Sequence, residues 1–359
     1  MTAEPALSVR ADLTGVAPYV SPQRPARYRM NTNEAPYPPP EALVKEVAAE
    51  IEAITLNRYP DRDASRLFDA ISDHVGWPKE GLWVANGSNE VFMHLFLAFG
   101  GPQRASLTFE PTYSLHTLIP RIAGTRTLQE QRGDGFAIDV AAATAVIERD
   151  KPDIVIVCSP NNPTGIHEPR ATVEALLSAA PGLVVVDEAY GEFDLPERSC
   201  ITLLEDHPNL VVTKTFSKAW RLAGVRIGYM LADPALVAEL SRVRLPYHLS
   251  AITQLVGEAA VRHVDETLDM VRAICTERDR MVAELTTRGI TTFPSSANFV
   301  LFEVSDPAAI WQGLLDRGVL VRSYPGVPGL EKCLRVTAGL PEETAAFVAA
   351  LDEVLGPSS

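Results

Sequence analysis

Residues Leu210 to Gly228 read LVVTKTFSKAWRLAGVRIG. The apolar start, Leu210-Val211-Val212, predicts a short strand, and a helix-compatible segment follows Lys218. Thr215 and Ser217 place hydroxyls just before Lys218, apolar residues stand on both sides of it, and Arg226 comes a little later. Burial among such neighbours strips water from an amine and lowers its pKa, which makes it a nucleophile toward a carbonyl. Clustered hydroxyls beside an arginine suit a phosphate dianion. The competing reading is a solvated lysine at a helix start.

Outward from this stretch the chain alternates strands and helices. Leu82–Ala85, Ala105–Phe109, Asp153–Cys158, Gly182–Asp187 and Arg226–Leu231 read as further strands, several of them continuous Val/Ile runs. Such runs, separated by helical segments, predict an α/β fold with a mainly parallel sheet covered on both faces. The polar clusters Asn86–Glu90, Glu110–Tyr113, Ser159–Gly165 and Asp187–Tyr190 all fall at strand ends. Open α/β sheets bind ligands at the carboxyl ends of their strands. Upstream, Ala17–Pro40 is rich in proline and tyrosine and predicts an extended arm. Amphipathic helices are expected over Glu41–Ile54 and Ser65–Val75. A long helical stretch runs to about Arg288, and further strands fall at Asn298–Phe302, Val319–Arg322 and Leu334–Thr337. The expected organisation is an arm over 1–40 joining a small C-terminal domain over 251–359, with a large domain over 41–250 between them.

The 359 residues exceed what one core usually fills. A formal charge of −14 without a dense basic run argues against nucleic acid. No apolar run reaches membrane-helix length, and the N-terminal stretch lacks a secretory pattern. Cys158, Cys200, Cys275 and Cys333 lie far apart, which predicts reduced thiols in a cytoplasmic protein and no metal site.

Asp187 ends a run of buried aliphatics, where a carboxylate needs a cation or strong donors. An amine for an aldehyde, a cup for a phosphate and an acid for a pyridinium nitrogen are together what pyridoxal phosphate requires. The rival for VVVDE is a magnesium-binding nucleotidase strand, but such an enzyme needs a GK pair and the chain has none. The ANGSNE turn suits phosphate at a helix start. The plainer alternative is an ordinary cap by Ser88.

In order and spacing, NGSNE, PTY, SPNNPTG, DEAY, TFSKAWRLAGVRIG and LRVTAG resemble the fold-type I pyridoxal-phosphate aminotransferases, over nearly the whole chain. The resemblance implies an aspartate-aminotransferase-like fold with Lys218 as Schiff-base lysine and proton carrier. It implies that Asp187 pairs with the pyridine nitrogen, that Asn162 and Tyr190 bond the phenolic oxygen, and that Tyr113 stacks on the ring. Ser88, Asn89, Thr215, Ser217 and Arg226 would hold the phosphate, with Tyr59 reaching it across a homodimer interface. RADLTGVAPYVSPQ, RMNTNEAPYPPP, NRYPDRDA, WVANGSNE, AFGGP and RLPYHLS resemble the actinobacterial histidinol-phosphate aminotransferases. That likeness implies transfer of an amino group between histidinol phosphate and 2-oxoglutarate. Arg335, Arg322 and Tyr19 would then bind the substrate's anion, beside Asn162.

Ala35, Trp220-Arg221 and Ser323-Tyr324-Pro325 depart from the usual pattern. They are expected near the substrate, where an aromatic rim would favour phenylalanine or tyrosine instead. A hydrolase lacks its GxSxG or HExxH, and a dinucleotide enzyme its third glycine after Gly133. A cofactor-dependent regulator would need a basic DNA-binding domain beyond these segments.

Overall fold

The computed structural model describes residues 9–16 and 23–356; Tyr19 lies outside the described residues. The arm contributes Tyr28–Arg29 (β1), and helices Glu41–Ile51 (α1) and Ser65–Val75 (α2) follow. The alternation then begins with Leu82–Ala85 (β2), Ser88–Phe99 (α3), Ala105–Glu110 (β3), Leu115–Ile122 (α4) and Arg126–Gln131 (β4). It continues through Val140–Asp150 (α5), Ile154–Cys158 (β5), Arg170–Ala179 (α6), Leu183–Asp187 (β6), Leu210–Thr215 (β7) and Gly228–Ala232 (β8). Pro234–Leu240 (α7), Ala251–Arg262 (α8) and Val264–Thr287 (α9) lead to Phe299–Glu303 (β9) and Pro307–Asp316 (α10). Val319–Leu320 (β10), Arg322–Ser323 (β11), Cys333–Thr337 (β12) and Pro341–Leu355 (α11) close the described chain.

Seven strands form the large sheet in the order β2-β8-β7-β6-β5-β3-β4. The run from β7 to β4 is parallel, and β8 lies antiparallel to both β7 and β2. The central strands β5 and β7 are buried along their whole length, and β6 is buried beyond Leu183. Helices on both faces supply that cover, so alternate side chains feed two cores: Val155, Val157, Val184 and Val186 in one, Ile154, Ile156, Val185 and Val211 in the other. Burying each such aliphatic side chain contributes roughly 1.5–3 kcal/mol before conformational entropy is subtracted. Helix starts follow local chemistry. Asp139, Ser250 and Asp306 accept first-turn amides of α5, α8 and α10, and proline opens α7, α10 and α11.

A three-stranded sheet, β11-β12-β9, packs with α9, α10 and α11 around Phe302, Phe347 and Leu334. The arm joins this part of the molecule, because β1 pairs in parallel with β10, Tyr28 opposite Val319.

Three local expectations are corrected. The segment after Lys218 is a series of turns, because Arg221 and Arg226 both take positive φ, 60° and 61°. A right-handed helix cannot pass through such residues. The helical stretch toward Arg288 breaks at His263 into α8 and α9. Trp220 and Arg221 do not face the substrate side: Trp220 is buried and stacks on Phe216, and Arg221 donates to the carbonyls of Pro38 and Glu266. Ala35 likewise packs against the large core.

Candidate active site

The carboxyl ends of β3, β5, β6 and β7 open into a cavity of about 560 Å³ that the arm and the small sheet help to wall. That volume suits a small ligand with a cofactor.

Lys218 projects into it from the turn after β7. Its Nζ donates to the Thr32 carbonyl at 3.1 Å and lies 5.7 Å from the centre of the Tyr190 ring. Burial lowers the amine to about 8; the Arg335 and Arg226 charges act the same way and Glu34 opposes them. An amine so placed has a far larger unprotonated fraction near neutrality than a free lysine, as a nucleophile needs.

Asp187 ends β6, buried. Its Oδ1 accepts from the Ala189 amide and the Thr213 hydroxyl, each at 3.1 Å, and its Oδ2 stands 2.9 Å from His116 Nε2. Donors on both oxygens satisfy this buried carboxylate and fix its direction. His116, Asp187 and Cys158 bring three possible metal-ligating atoms within 4.8 Å of one another. The ring and the carboxylate are occupied with each other, and burial beside Asp187 raises the Cys158 thiol, whereas a metal takes thiolate.

Tyr190 is the hub of a polar chain. Its hydroxyl accepts from Asn33 Nδ2 at 2.9 Å and from Asn162 Nδ2 at 3.3 Å, which leaves its own proton to donate. Burial raises the phenol, so it keeps that proton. Asn162 Oδ1 in turn accepts from Arg335, whose second nitrogen donates to the Asn31 carbonyl at 2.7 Å. Asn33 Oδ1 accepts from Thr337 on β12 at 3.1 Å, so arm, small sheet and large sheet meet in one network.

A cup forms at the start of α3. Ser88, Asn89, Thr215, Ser217 and Arg226 all line it. No side chain caps α3, whose N-cap is Gly87, so the Ser88 hydroxyl is not the ordinary cap its position allowed. Two glycines make room: a Cβ on Gly87, at φ 88°, would meet the Arg226 guanidinium, and one on Gly228 would strike the Gly87–Ser88 backbone. Arg226 Nη1 donates to the Ser217 hydroxyl at 3.2 Å, with Thr215 bonded to Ser217 at 3.0 Å.

Tyr113, Arg322, Tyr324 and Arg335 line the same cavity, so of the departing positions only the Tyr324 segment reaches it. Arg335 is buried, its Nε has no hydrogen-bond partner, and its guanidinium lies 5.0 Å from the Phe299 ring centre. Among the described residues none of Arg226, Arg322 and Arg335 has a carboxylate partner, so the cavity holds three guanidiniums that need anions. Tyr59 lies elsewhere: it is exposed, stacked on Tyr247 at 4.4 Å, and absent from this cavity. Sequence reasoning missed His116 and Asn33. His116 follows PTY by three residues at the start of a helix, a spacing that could have placed it behind Tyr113.

A buried acid, a desolvated lysine and a cup of hydroxyls with a guanidinium at the strand ends of this sheet are the set that a pyridoxal-phosphate-dependent transferase requires. The sequence model of aminotransferase class I and II matches residues 28–351. Histidinol-phosphate aminotransferase of Thermobifida fusca is 47% identical over 351 residues, covering 96% of this chain and 95% of the relative. That of Corynebacterium efficiens is 45% identical over 360 residues, covering 98% and 95%. The crystal structure of histidinol-phosphate aminotransferase from Sinorhizobium meliloti in complex with pyridoxal-5'-phosphate superposes with a TM-score of 0.89 at 26% identity, covering 98% of each chain. The chain belongs to the class I and II aminotransferases, and within them to the histidinol-phosphate aminotransferase family.

Proposed function

We infer that this protein uses pyridoxal phosphate to move an amino group between L-histidinol phosphate and 2-oxoglutarate, a step of histidine biosynthesis. The observation that carries the residue assignment is Lys218, its amine lowered to about 8, sharing one cavity with Asp187 and three guanidiniums without acid partners.

When bound, the cofactor supplies a protonated ring that draws electrons from the substrate's α-carbon. Asp187 would hold the proton on the ring nitrogen, with its own oxygens fixed by His116 and Thr213. Lys218 Nζ would anchor the cofactor's aldehyde covalently and, once the incoming substrate amine has displaced it, would be the free amine placed to carry the α-carbon proton. Tyr190 and Asn162 donate to the ring's hydroxyl oxygen. Ser88, Asn89, Thr215, Ser217 and Arg226 would hold the cofactor phosphate, and Tyr113 would stack on its ring. Arg335 and Arg322 receive the substrate's phosphate in one half-reaction and a carboxylate in the other, which planar guanidinium forks can both satisfy.

Among the described residues no helix is long and apolar enough to cross a membrane. All four cysteines are free, which supports a reducing, cytoplasmic setting. Leu56, Tyr59, Tyr247 and Ile252 are exposed apolar side chains that line a second pocket. This supports a homodimer in which Tyr59 reaches the partner's phosphate cup, with residues 1–40 and 251–359 as the smaller unit of each subunit; sedimentation equilibrium tests the dimer. Cofactor absorbance followed on separate addition of L-histidinol phosphate, glutamate, phenylalanine and tyrosine tests the substrate. Histidinol phosphate and glutamate are expected to convert it fully. Conversion by the aromatic amino acids but not by histidinol phosphate would replace this reading with an aromatic aminotransferase.

A further inference from the structure

Arg322 and Arg335 line the cavity, and two carboxylates line it as well: Asp187 under the cofactor position, and Glu110. Asp187 has three close donors on its two oxygens, whereas Glu110 has two, one of them distant. Glu110 ends β3, half-buried, opposite Gln131 of the edge strand β4. Its Oε2 accepts the Thr112 amide at 3.0 Å, while its Oε1 accepts only a long 3.3 Å bond from Gln129 Nε2. No lysine, arginine or histidine among the described residues pairs with it. A carboxylate in a cavity built for two anions is repulsive to substrate unless it faces the part that donates hydrogen bonds. An imidazole always presents at least one N–H, and two when protonated. A phenyl ring presents none.

We propose that Glu110, backed by Gln129, accepts the imidazole N–H of the substrate and so selects histidinol phosphate over phenyl-bearing amines. This rests on the reading of function given above. A site built to accept such a donor rejects an analogue lacking it, because the acceptor is left desolvated and unpaired.

The test uses Glu110→Gln in the holoenzyme, since glutamine retains an oxygen for the Thr112 amide while removing the charge. Half-reaction kcat/KM is measured with L-histidinol phosphate, with its phenyl analogue L-phenylalaninol phosphate, and with glutamate. The loss for histidinol phosphate is expected to exceed those for the other two by about tenfold, the value of a partly exposed charge-assisted hydrogen bond. Equal losses for all three amines would assign Glu110 to the turn alone and overturn the proposal, as would no change at all. Wild-type enzyme that ignores histidinol phosphate would overturn the functional reading and this one with it. Turnover by wild type with an unselective effect of the substitution would overturn this one only.

Discussion

His116 Nε2 stands 2.9 Å from Asp187 Oδ2, with both side chains buried. The ring N–H fixes one carboxylate oxygen while Thr213 and Ala189 fix the other, so Asp187 cannot rotate away from the cavity. His116→Leu is therefore expected to weaken cofactor retention by roughly tenfold, the scale of a lost charge-assisted bond. Asp187→Asn should slow the half-reaction by on the order of a hundredfold or more, because the charge that keeps the ring nitrogen protonated is gone. Equilibrium dialysis and stopped-flow absorbance measure the two effects. Unchanged half-reaction rates in Asp187→Asn would misplace the pairing.

The Lys218 amine gives a pH prediction. Burial, with Arg335 and Arg226 and against Glu34, lowers it from 10.5 to about 8 in the folded chain. Between those values the unfolded chain binds more protons than the folded one, so stability rises with pH through that window. Below about 8 both states carry the proton and the contribution is flat at its unfavourable level. Cofactor-free wild type should gain melting temperature relative to Lys218→Met as pH increases from 8 toward 10. Parallel curves for the two proteins would contradict the lowered amine.

On β7, Lys214 is buried against Glu188 at 3.3 Å and Glu192 at 3.4 Å. Burial would lower its amine, but the two carboxylates outweigh that and raise it. Removing the cation leaves two acids desolvated, so Lys214→Met is expected to cost about 3–5 kcal/mol of unfolding free energy. Lys214→Met with Glu188→Gln should recover part of it. Urea unfolding of the cofactor-free proteins measures both, and a loss under 1 kcal/mol would show the network to be dispensable.

Arg322→Ala should damage the histidinol-phosphate half-reaction at least about tenfold more than the glutamate one, since a phosphate dianion gains more from the second guanidinium than a carboxylate does. Single-turnover rates for each amine give the ratio. A ratio near one would remove Arg322 from phosphate recognition.

Much of this architecture was legible because its signals are local. The Val/Ile runs of β5, β6 and β7 can only be buried strands, and Asp187 and Lys218 sit where those strands end. The edge strand β4 was not legible: Arg126–Gln131 is largely polar and partly exposed, with no alternation to mark it. The turns after Lys218 contain good helix formers, and only tertiary burial of Phe216, Trp220 and Leu222 explains their positive-φ breaks. His116 and Asn33 escaped because their partners, Asp187 and Tyr190, are 71 and 157 residues away in sequence. Arg221 was misplaced for the same reason, its contacts lying on the arm and on α9.

The most direct measurement of the central claim is borohydride reduction of the purified holoenzyme, followed by peptide mass mapping of the fixed pyridoxyl group. The group is expected on Lys218 alone, with loss of the cofactor's visible absorbance and of all transamination. A group fixed on another lysine, or full activity retained by Lys218→Ala, would contradict it.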